Sequence, residues 1–249
     1  MSEAVPLFTM RRSVTDTDAD FARRLKPTAM FGFFQDIAAL HAANLGASVE
    51  RLHEELNVAW ILMRVRLEID RYPVLAQDVT VETWPQEPRA LYERDYTIRD
   101  TGGNALVRAG STWVIMNLGT REIKRDKFLD YAGVEVKKDR ALGSGVARLK
   151  PIADADVIYE KEIKYSDLDY NIHANNAKYV DYIMDSFSFG EHRGREVKAI
   201  EVHYVNETGP GSVLEIRRKR LGGGQEYVGG VRKGDRASVF NAIVEWGEI

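Results

Sequence analysis

The sequence contains no cysteine among its 249 residues, which excludes disulfide bonds, thiolate metal sites and cysteine nucleophiles. No apolar run reaches the roughly 18 residues that span a bilayer, and the N-terminus lacks the apolar core of a signal peptide. An excess of positive charge is also missing. The 35 Lys and Arg residues are outnumbered by 38 Asp and Glu residues, a balance that argues against nucleic-acid binding. We therefore expect a cytoplasmic protein with no membrane insertion and no nucleic-acid partner.

Two stretches of the sequence show the apolar spacing of an amphipathic helix. They are residues 28–46 and residues 175–190, in which Asn175 or Asn176 can cap the start and Gly190 can form the end. An offset of 145 residues aligns the two stretches. The similarity predicts that the chain contains an internal duplication.

Alternating apolar and polar residues follow each predicted helix. Residues 61–69 alternate in this way, and so do residues 200–204, where Glu201 and His203 are the polar members. The period of two predicts half-buried strands. Glycine-containing turns are predicted at 101–104, 222–224 and 233–235.

The repeated order of elements predicts an α+β fold in two halves, each with a long helix packed against an antiparallel sheet. We place the N-terminal domain at residues 1–132 and the C-terminal domain at residues 152–249. The segment 133–151 between them is polar and contains glycine, which is typical of a linker.

The segment before the second helix contains the strongest candidates for chemistry. Asp169, Asn171 and His173 have the spacing i, i+2, i+4, which would project all three side chains to one side of an extended segment. The backbone N–H groups at the start of the following helix could stabilise an oxyanion. An acid, an amide and an imidazole beside such a site would suit hydrolysis of an acyl compound.

Only the second half carries these groups, because the offset of 145 places Lys26 opposite Asn171 and Thr28 opposite His173. A structural role is the alternative, since Asp and Asn are common in turns and caps. The five histidines show no metal-ligand spacing, and no phosphate-binding glycine loop is present. We therefore expect neither a metal nor another cofactor.

Motifs in both halves resemble those of a known family. They are Asn57-Val-Ala-Trp60-Ile-Leu-Met-Arg64, Arg71-Tyr-Pro73, Thr83-Trp84 and Asp169-Tyr-Asn171-Ile-His173-Ala-Asn175-Asn176-Ala-Lys178-Tyr179. Over nearly its whole length the sequence resembles the acyl-acyl carrier protein thioesterases of plant plastids and bacteria. The resemblance implies a tandem, or double, hotdog fold, in which each half is a long helix wrapped by a curved antiparallel β-sheet.

The resemblance also implies roles for individual residues. Asn171 and His173 take catalytic positions, Asp169 orients Asn171, and the remaining catalytic position falls at Glu207. Plant members have cysteine where this chain has Thr208, so a thiol nucleophile is excluded here. Our hypothesis is that Glu207, with His173, activates a water molecule that attacks the thioester. Supporting roles are expected for Thr208, Asn175 and Asn176.

The implied reaction releases a free fatty acid from acyl carrier protein and so terminates chain elongation in the bacterial cytoplasm. The partner is acyl carrier protein bearing a fatty acyl-phosphopantetheine group, and a homodimer is left open. The acidic carrier could dock on the basic run at residues 217–220. We expect the degenerate N-terminal half to form the acyl pocket, with a plain core role as the alternative. The expected pocket residues are Phe31, Phe34, Ile37, Trp60 and Leu62.

Two alternative functions remain. A different hotdog enzyme would hydrolyse acyl-coenzyme A, and a non-catalytic module would only bind acyl groups. The rates of hydrolysis of one acyl group on acyl carrier protein and on coenzyme A distinguish the first alternative from the implied reaction. Acyl binding without any hydrolysis would indicate the second.

Overall fold

The computed structural model of the chain describes residues 3–89, 91–124, 128–129, 131–143 and 149–249. The chain divides into two compact units, Met1–Val146 and Ala147–Ile249. This division falls within the segment predicted as a linker, of which residues 144–148 lie outside the described residues.

Among its described residues, the N-terminal unit has one antiparallel sheet and two helices. Its elements are β1 (Phe8–Ser13), α1 (Pro27–Asn44), α2 (Val49–Leu56), β2 (Val58–Ile69), β3 (Asp78–Pro85), β4 (Tyr92–Arg99), β5 (Ala105–Asn117), β6 (Ile123–Lys124) and a 3-10 turn at Tyr131–Gly133. The strands pair in the order β1–β3–β4–β5–β2, with β6 beside β5. Helix α1 packs against β3 and buries the apolar side chains of Met30, Phe34 and Ile37.

The C-terminal unit repeats this connectivity. Its elements are β7 (Asp156–Glu162), a 3-10 turn at Tyr165–Asp167, α3 (Lys178–Met184), α4 (Phe189–Gly194), β8 (Arg195–Tyr204), β9 (Val213–Gly222), β10 (Gln225–Arg232) and β11 (Ser238–Glu248). The strands pair in the order β7–β9–β10–β11–β8, all antiparallel. Each unit therefore places its first, third, fourth, fifth and second strands side by side. The predicted α+β architecture is confirmed, although the sequence patterns gave no indication of β1 or β7.

The predicted turns are present in both sheets. Residues 101–104 connect β4 to β5, residues 222–224 connect β9 to β10, and residues 233–235 connect β10 to β11. Gly224 has a φ of 77°, and a Cβ atom there would lie 2.8 Å from the Trp246 carbonyl oxygen. Only glycine fits this position without a backbone shift.

The prediction of one continuous helix over residues 175–190 is wrong. Helix α3 ends at Met184, and α4 begins after Ser188. The Ser188 hydroxyl accepts a hydrogen bond from the Glu191 backbone N–H, while the Glu191 carboxylate accepts one from the Ser188 N–H. This capping box starts a new helix inside the apolar pattern, so Gly190 lies within α4 rather than at a helix end.

The alternating polar residues of β8 are buried. Glu201 and His203 are each only 6% exposed. His203 Nε2 donates to Glu201 Oε1 at 2.9 Å, and His203 Nδ1 accepts from the Leu149 N–H at 3.1 Å. Burial of both side chains is tolerated because each ring nitrogen has a partner.

A bulge changes the alternation in β2. The pairing with β5 runs from Leu62 opposite Trp113 to Arg64 opposite Thr112, so Met63 is the extra residue. The buried positions consequently shift from Leu62 to Val65 across the bulge.

None of the described helices is both long and apolar enough to cross a membrane.

Candidate active site

Three of the candidate catalytic residues, Asp169, Asn171 and His173, lie in a tight loop of the C-terminal unit. The Asp169 N–H donates to the His173 carbonyl oxygen at 2.8 Å, and the Ile172 N–H donates to the Asp169 carbonyl oxygen at 3.0 Å. Ile172 has a φ of 62°, which is the left-handed conformation often found at the last position of a three-residue hairpin loop. The predicted extended segment is therefore wrong, because this stretch of chain reverses its direction.

The Asp169 carboxylate holds the loop together. Its Oδ1 atom accepts hydrogen bonds from the backbone N–H groups of Asn171, at 2.8 Å, and His173, at 3.3 Å. Aspartate commonly closes turns in this way. The aspartate thus positions both neighbours through their backbone.

The loop brings His173 next to Glu207, which follows β8. His173 Nε2 lies 3.7 Å from Glu207 Oε2, and both side chains are 40% exposed. The Ala174 N–H donates to the Thr208 carbonyl oxygen at 2.8 Å, which ties the two segments together. Arg232 Nη1 donates to the Glu207 carbonyl oxygen at 2.9 Å. An imidazole and a carboxylate therefore face each other where water can reach them.

Thr208 occupies a different environment from Glu207. Its side chain is only 1% exposed, and within the described residues its hydroxyl makes no hydrogen bond. The Tyr179 hydroxyl is a neighbour of Thr208. Burial raises the pKa of Tyr179 to about 12, so this neighbour is neutral near pH 7 and supplies no base for the threonine. The arrangement gives Thr208 a packing role.

Asn175 and Asn176 shape the start of α3. Asn175 Oδ1 accepts from the Ala177 N–H at 2.9 Å, and the Asn175 carbonyl oxygen accepts from the Lys178 N–H at 2.9 Å. The Asn176 carbonyl oxygen accepts from the Tyr204 hydroxyl at 3.0 Å. The Ala177 and Lys178 N–H groups are thus already used, and the expected oxyanion site at the start of this helix loses two of its donors.

The N-terminal unit contains a loop with the same hydrogen bonds. The Asp20 N–H donates to the Arg24 carbonyl oxygen at 2.8 Å, and the Arg23 N–H donates to the Asp20 carbonyl oxygen at 2.9 Å. Asp20 Oδ1 accepts from the backbone N–H groups of Ala22 and Arg24. Arg23 has a φ of 61°, within one degree of its counterpart in the second loop.

These bonds correct the sequence alignment of the two halves. The structural offset in the loop is 149, the difference between Asp169 and Asp20, rather than 145. Asn171 and His173 therefore correspond to Ala22 and Arg24, not to Lys26 and Thr28. The apolar spacing of the helices could not reveal this difference because it carries no information about the loop ahead of them.

Arg24, the counterpart of His173, makes different contacts. Arg24 Nη2 lies 3.1 Å from the Asp20 carboxylate, and its guanidinium lies 4.9 Å from the centre of the Tyr72 ring. The Leu25 N–H donates to the Pro73 carbonyl oxygen, as Ala174 donates to Thr208, so Tyr72 corresponds to Glu207. The first unit therefore has a cation on an aromatic ring at the positions where the second has an imidazole and a carboxylate.

The residues expected to form an acyl pocket are packed into the core of the N-terminal unit. Four of them are buried, namely Phe31, Phe34, Ile37 and Leu62. Trp60 is half-buried, meets Tyr92 edge-on at 5.0 Å and donates from Nε1 to the Ala47 carbonyl oxygen. A role in binding an acyl chain remains a prediction.

The basic run at residues 217–220 is largely neutralised within its own unit. Arg217 pairs with Glu215, Arg218 lies between Glu191 and Glu226, and Lys219 pairs with Asp154. These partners weaken the case for this run as a docking surface for an acidic protein.

No group of three His, Asp or Glu residues suited to a metal ion occurs in the described ranges.

The chain matches a known family in both units. Residues 6–127 match the Acyl-ACP thioesterase N-terminal domain, and residues 151–239 match the Acyl-ACP thioesterase C-terminal domain. The chain belongs to the acyl-ACP thioesterase family. A chloroplastic palmitoyl-acyl carrier protein thioesterase of Arabidopsis thaliana is 30% identical over 207 residues, covering 76% of this chain and 50% of the relative. A chloroplastic acyl-[acyl-carrier-protein] hydrolase of Cuphea viscosissima is 28% identical, covering 84% of this chain and 53% of the relative.

This acyl-ACP thioesterase family member spans about half the length of these curated relatives. Solved structures give the same fold over the whole chain. An acyl-ACP thioesterase from Bacteroides thetaiotaomicron has a TM-score of 0.89 at 24% identity, covering 99% of this chain and 100% of its own. The 12:0-ACP thioesterase from Umbellularia californica has a TM-score of 0.84 at 22% identity, with both chains covered completely. The expected double hotdog fold is confirmed.

Proposed function

We propose that this family member hydrolyses the thioester of fatty acyl-acyl carrier protein, releases a free fatty acid and so terminates chain elongation. The observation that carries the proposal is the 3.7 Å approach of His173 Nε2 to Glu207 Oε2, with both side chains partly exposed. The names of the relatives, which specify acyl carrier protein substrates, support the substrate class.

The proposed reaction uses a water molecule held between the side chains of His173 and Glu207. One of these groups takes a proton from the water as its oxygen attacks the thioester carbonyl carbon. The carbon–sulfur bond then breaks, and the departing sulfur receives the proton. Asn171, which is exposed at the tip of the loop, would donate from its amide to the carbonyl oxygen. This donor would offset the loss of the two backbone N–H groups at α3.

The proposal includes acyl carrier protein as the partner and the bacterial cytoplasm as the place of action. The test is hydrolysis of one acyl group attached to carrier protein or to coenzyme A. We expect a higher kcat/KM with carrier protein. A preference for coenzyme A would replace the proposed substrate with the alternative one, and acyl binding without hydrolysis of either would contradict the enzymatic proposal.

A matched pair of variants tests the site. His173→Ala should lower turnover by about 10²- to 10⁴-fold, the usual cost of losing a general base. Arg24→Ala changes the corresponding position of the first loop and should leave turnover within about twofold, since no proposed step uses that loop. Equal losses in the two variants would contradict the assignment of chemistry to the second loop. Circular dichroism of both variants controls for folding.

A further inference from the structure

The loop that holds His173 also exposes an unusual apolar residue. Ile172 is 63% exposed and has a φ of 62°. A β-branched residue is a genuine outlier in this left-handed region, where glycine or asparagine is usual. Because most of the side chain faces solvent, packing within the unit offsets little of the strain energy of the backbone. Another role has to account for isoleucine at this position.

Ile172 belongs to a surface concavity beside the candidate catalytic residues. Its walls are Tyr165, Ser166, Leu168, Asp169 and Ile172. Tyr165 is 93% exposed, so it too contributes apolar surface to solvent. Asp169 is also the residue that fixes His173, which places the concavity directly against the catalytic loop.

The first loop provides an internal comparison for this surface. With the offset of 149, Tyr165, Leu168 and Ile172 correspond to Asp16, Ala19 and Arg23. The backbone bonds are the same in both loops, yet the loop without an imidazole has two charged residues and one small residue at these three places. Apolar side chains at these positions are therefore not needed to close the loop. Of the two loops, the one with apolar side chains at these positions is the one with the candidate catalytic residues.

We infer that Tyr165, Leu168 and Ile172 form a contact surface for the pantetheine arm that carries the thioester. This inference rests on the proposed function. The arm is a chain of methylene, methyl and amide groups, which suits an open apolar surface with polar neighbours at Ser166 and Asp169. Three side chains are far fewer than the roughly 20–30 residues that each partner contributes to a stable protein interface. The size of the surface therefore favours a linear arm over a globular partner.

The experiment compares Ile172→Asn with Arg23→Asn. Asparagine tolerates the left-handed conformation, so both variants should unfold at or above the wild-type temperature. Each is assayed with one acyl group on carrier protein, on coenzyme A and on N-acetylcysteamine, which retains only the end of the arm. Ile172→Asn should raise KM about tenfold for the two substrates with a full arm, as expected for losing an apolar contact. Its kcat should stay within about twofold.

The control arms separate this surface from a general effect on the site. Arg23→Asn should change no KM value, and Ile172→Val, which keeps an apolar branched side chain, should raise KM for the full-arm substrates less than Ile172→Asn does. KM for the N-acetylcysteamine thioester should be unchanged in Ile172→Asn. An unchanged KM for both full-arm substrates, or an equal change for all three substrates, would overturn the inference. Failure of the wild-type protein to hydrolyse any of them would instead contradict the proposed function.

Discussion

The loops at residues 168–174 and 19–25 use the same backbone hydrogen bonds for different purposes. Asp169 and Asp20 each accept from two backbone N–H groups and close their loop in the same way. An aspartate present in both loops is explained by folding alone. The imidazole of His173 in the second loop faces the carboxylate of Glu207, which follows β8, and these are the groups that require a chemical explanation.

In the first unit, other side chains take the positions of the candidate catalytic groups. Arg24 pairs with Asp20 and lies over the Tyr72 ring, at the positions that correspond to His173 and Glu207 in the second unit. A guanidinium remains protonated at any ordinary pH and cannot act as a base. The first loop therefore keeps the geometry and lacks the proton chemistry.

The strongest way to break this comparison is to convert the second loop into the first. His173→Arg places the residue of the first loop beside Glu207, where it can form an ion pair but cannot accept a proton. We expect turnover to fall by roughly 10³-fold, within the range for losing a general base. The loop itself should keep its conformation, because its backbone hydrogen bonds do not involve the side chain of residue 173. Steady-state hydrolysis of acyl carrier protein thioester measures the effect. Retention of more than about a tenth of the wild-type rate would contradict the role of His173.

The next test concerns a buried histidine of the first unit. His41 is fully buried, donates from Nε2 to the Val5 carbonyl oxygen and accepts at Nδ1 from Arg94. Burial, together with the positive charge of Arg94, lowers the pKa of His41 from 6.5 to about 4. The unfolded chain thus binds a proton more readily than the folded chain. The stability contribution is complete above about pH 6.5 and is lost as the pH falls toward 4.

Denaturant unfolding between pH 7 and pH 4.5 measures this contribution. The full shift of the His41 pKa from 6.5 to about 4 corresponds to about 3 kcal/mol, most of which is lost by pH 4.5. His41→Gln keeps a donor and an acceptor without the titration, so its unfolding free energy should fall less steeply with acid than that of the wild type. Parallel curves for the wild type and His41→Gln would contradict this role of His41.

A smaller effect is expected from the residue that positions Glu207. Arg232 donates to the Glu207 carbonyl oxygen and also contacts both oxygens of the Asp235 carboxylate, at 3.0 and 2.9 Å. Arg232→Lys cannot make these contacts simultaneously, so Glu207 should shift slightly and kcat should fall about tenfold with little change in KM. Asp235→Asn leaves the hydrogen bond from Arg232 to Glu207 in place and should lower kcat less than Arg232→Lys does. A larger loss in Asp235→Asn than in Arg232→Lys would refute this positioning.

Much of the architecture could be predicted because local chemistry determines it. Gly222, Gly223 and Gly224 mark a turn wherever they occur between strands, and the turn is present. The burial of Glu201 and His203 could not be predicted, since alternation along one strand does not reveal whether both faces of that strand are covered. Capping by Ser188 interrupts a helix that the apolar spacing alone would continue.

The composition of the candidate site was predictable, but its geometry was not. The motif with Asp169, Asn171 and His173 was recognised from the sequence, whereas the turn it forms depends on the left-handed conformation of Ile172. Isoleucine gives no signal for that conformation, because turn prediction relies on glycine and asparagine there. The burial of Thr208 was equally hidden, since a threonine beside Glu207 suggests the same exposure for both.

The central claim is that Glu207 and His173 activate water while Thr208 only packs. Turnover of Glu207→Gln and Thr208→Val on the same acyl carrier protein substrate tests it most directly. We expect Glu207→Gln to lose about 10²- to 10⁴-fold and Thr208→Val to stay within about twofold of wild type, because the threonine hydroxyl is buried without a hydrogen bond in the described structure. Near-normal turnover in Glu207→Gln together with a large loss in Thr208→Val would contradict the account.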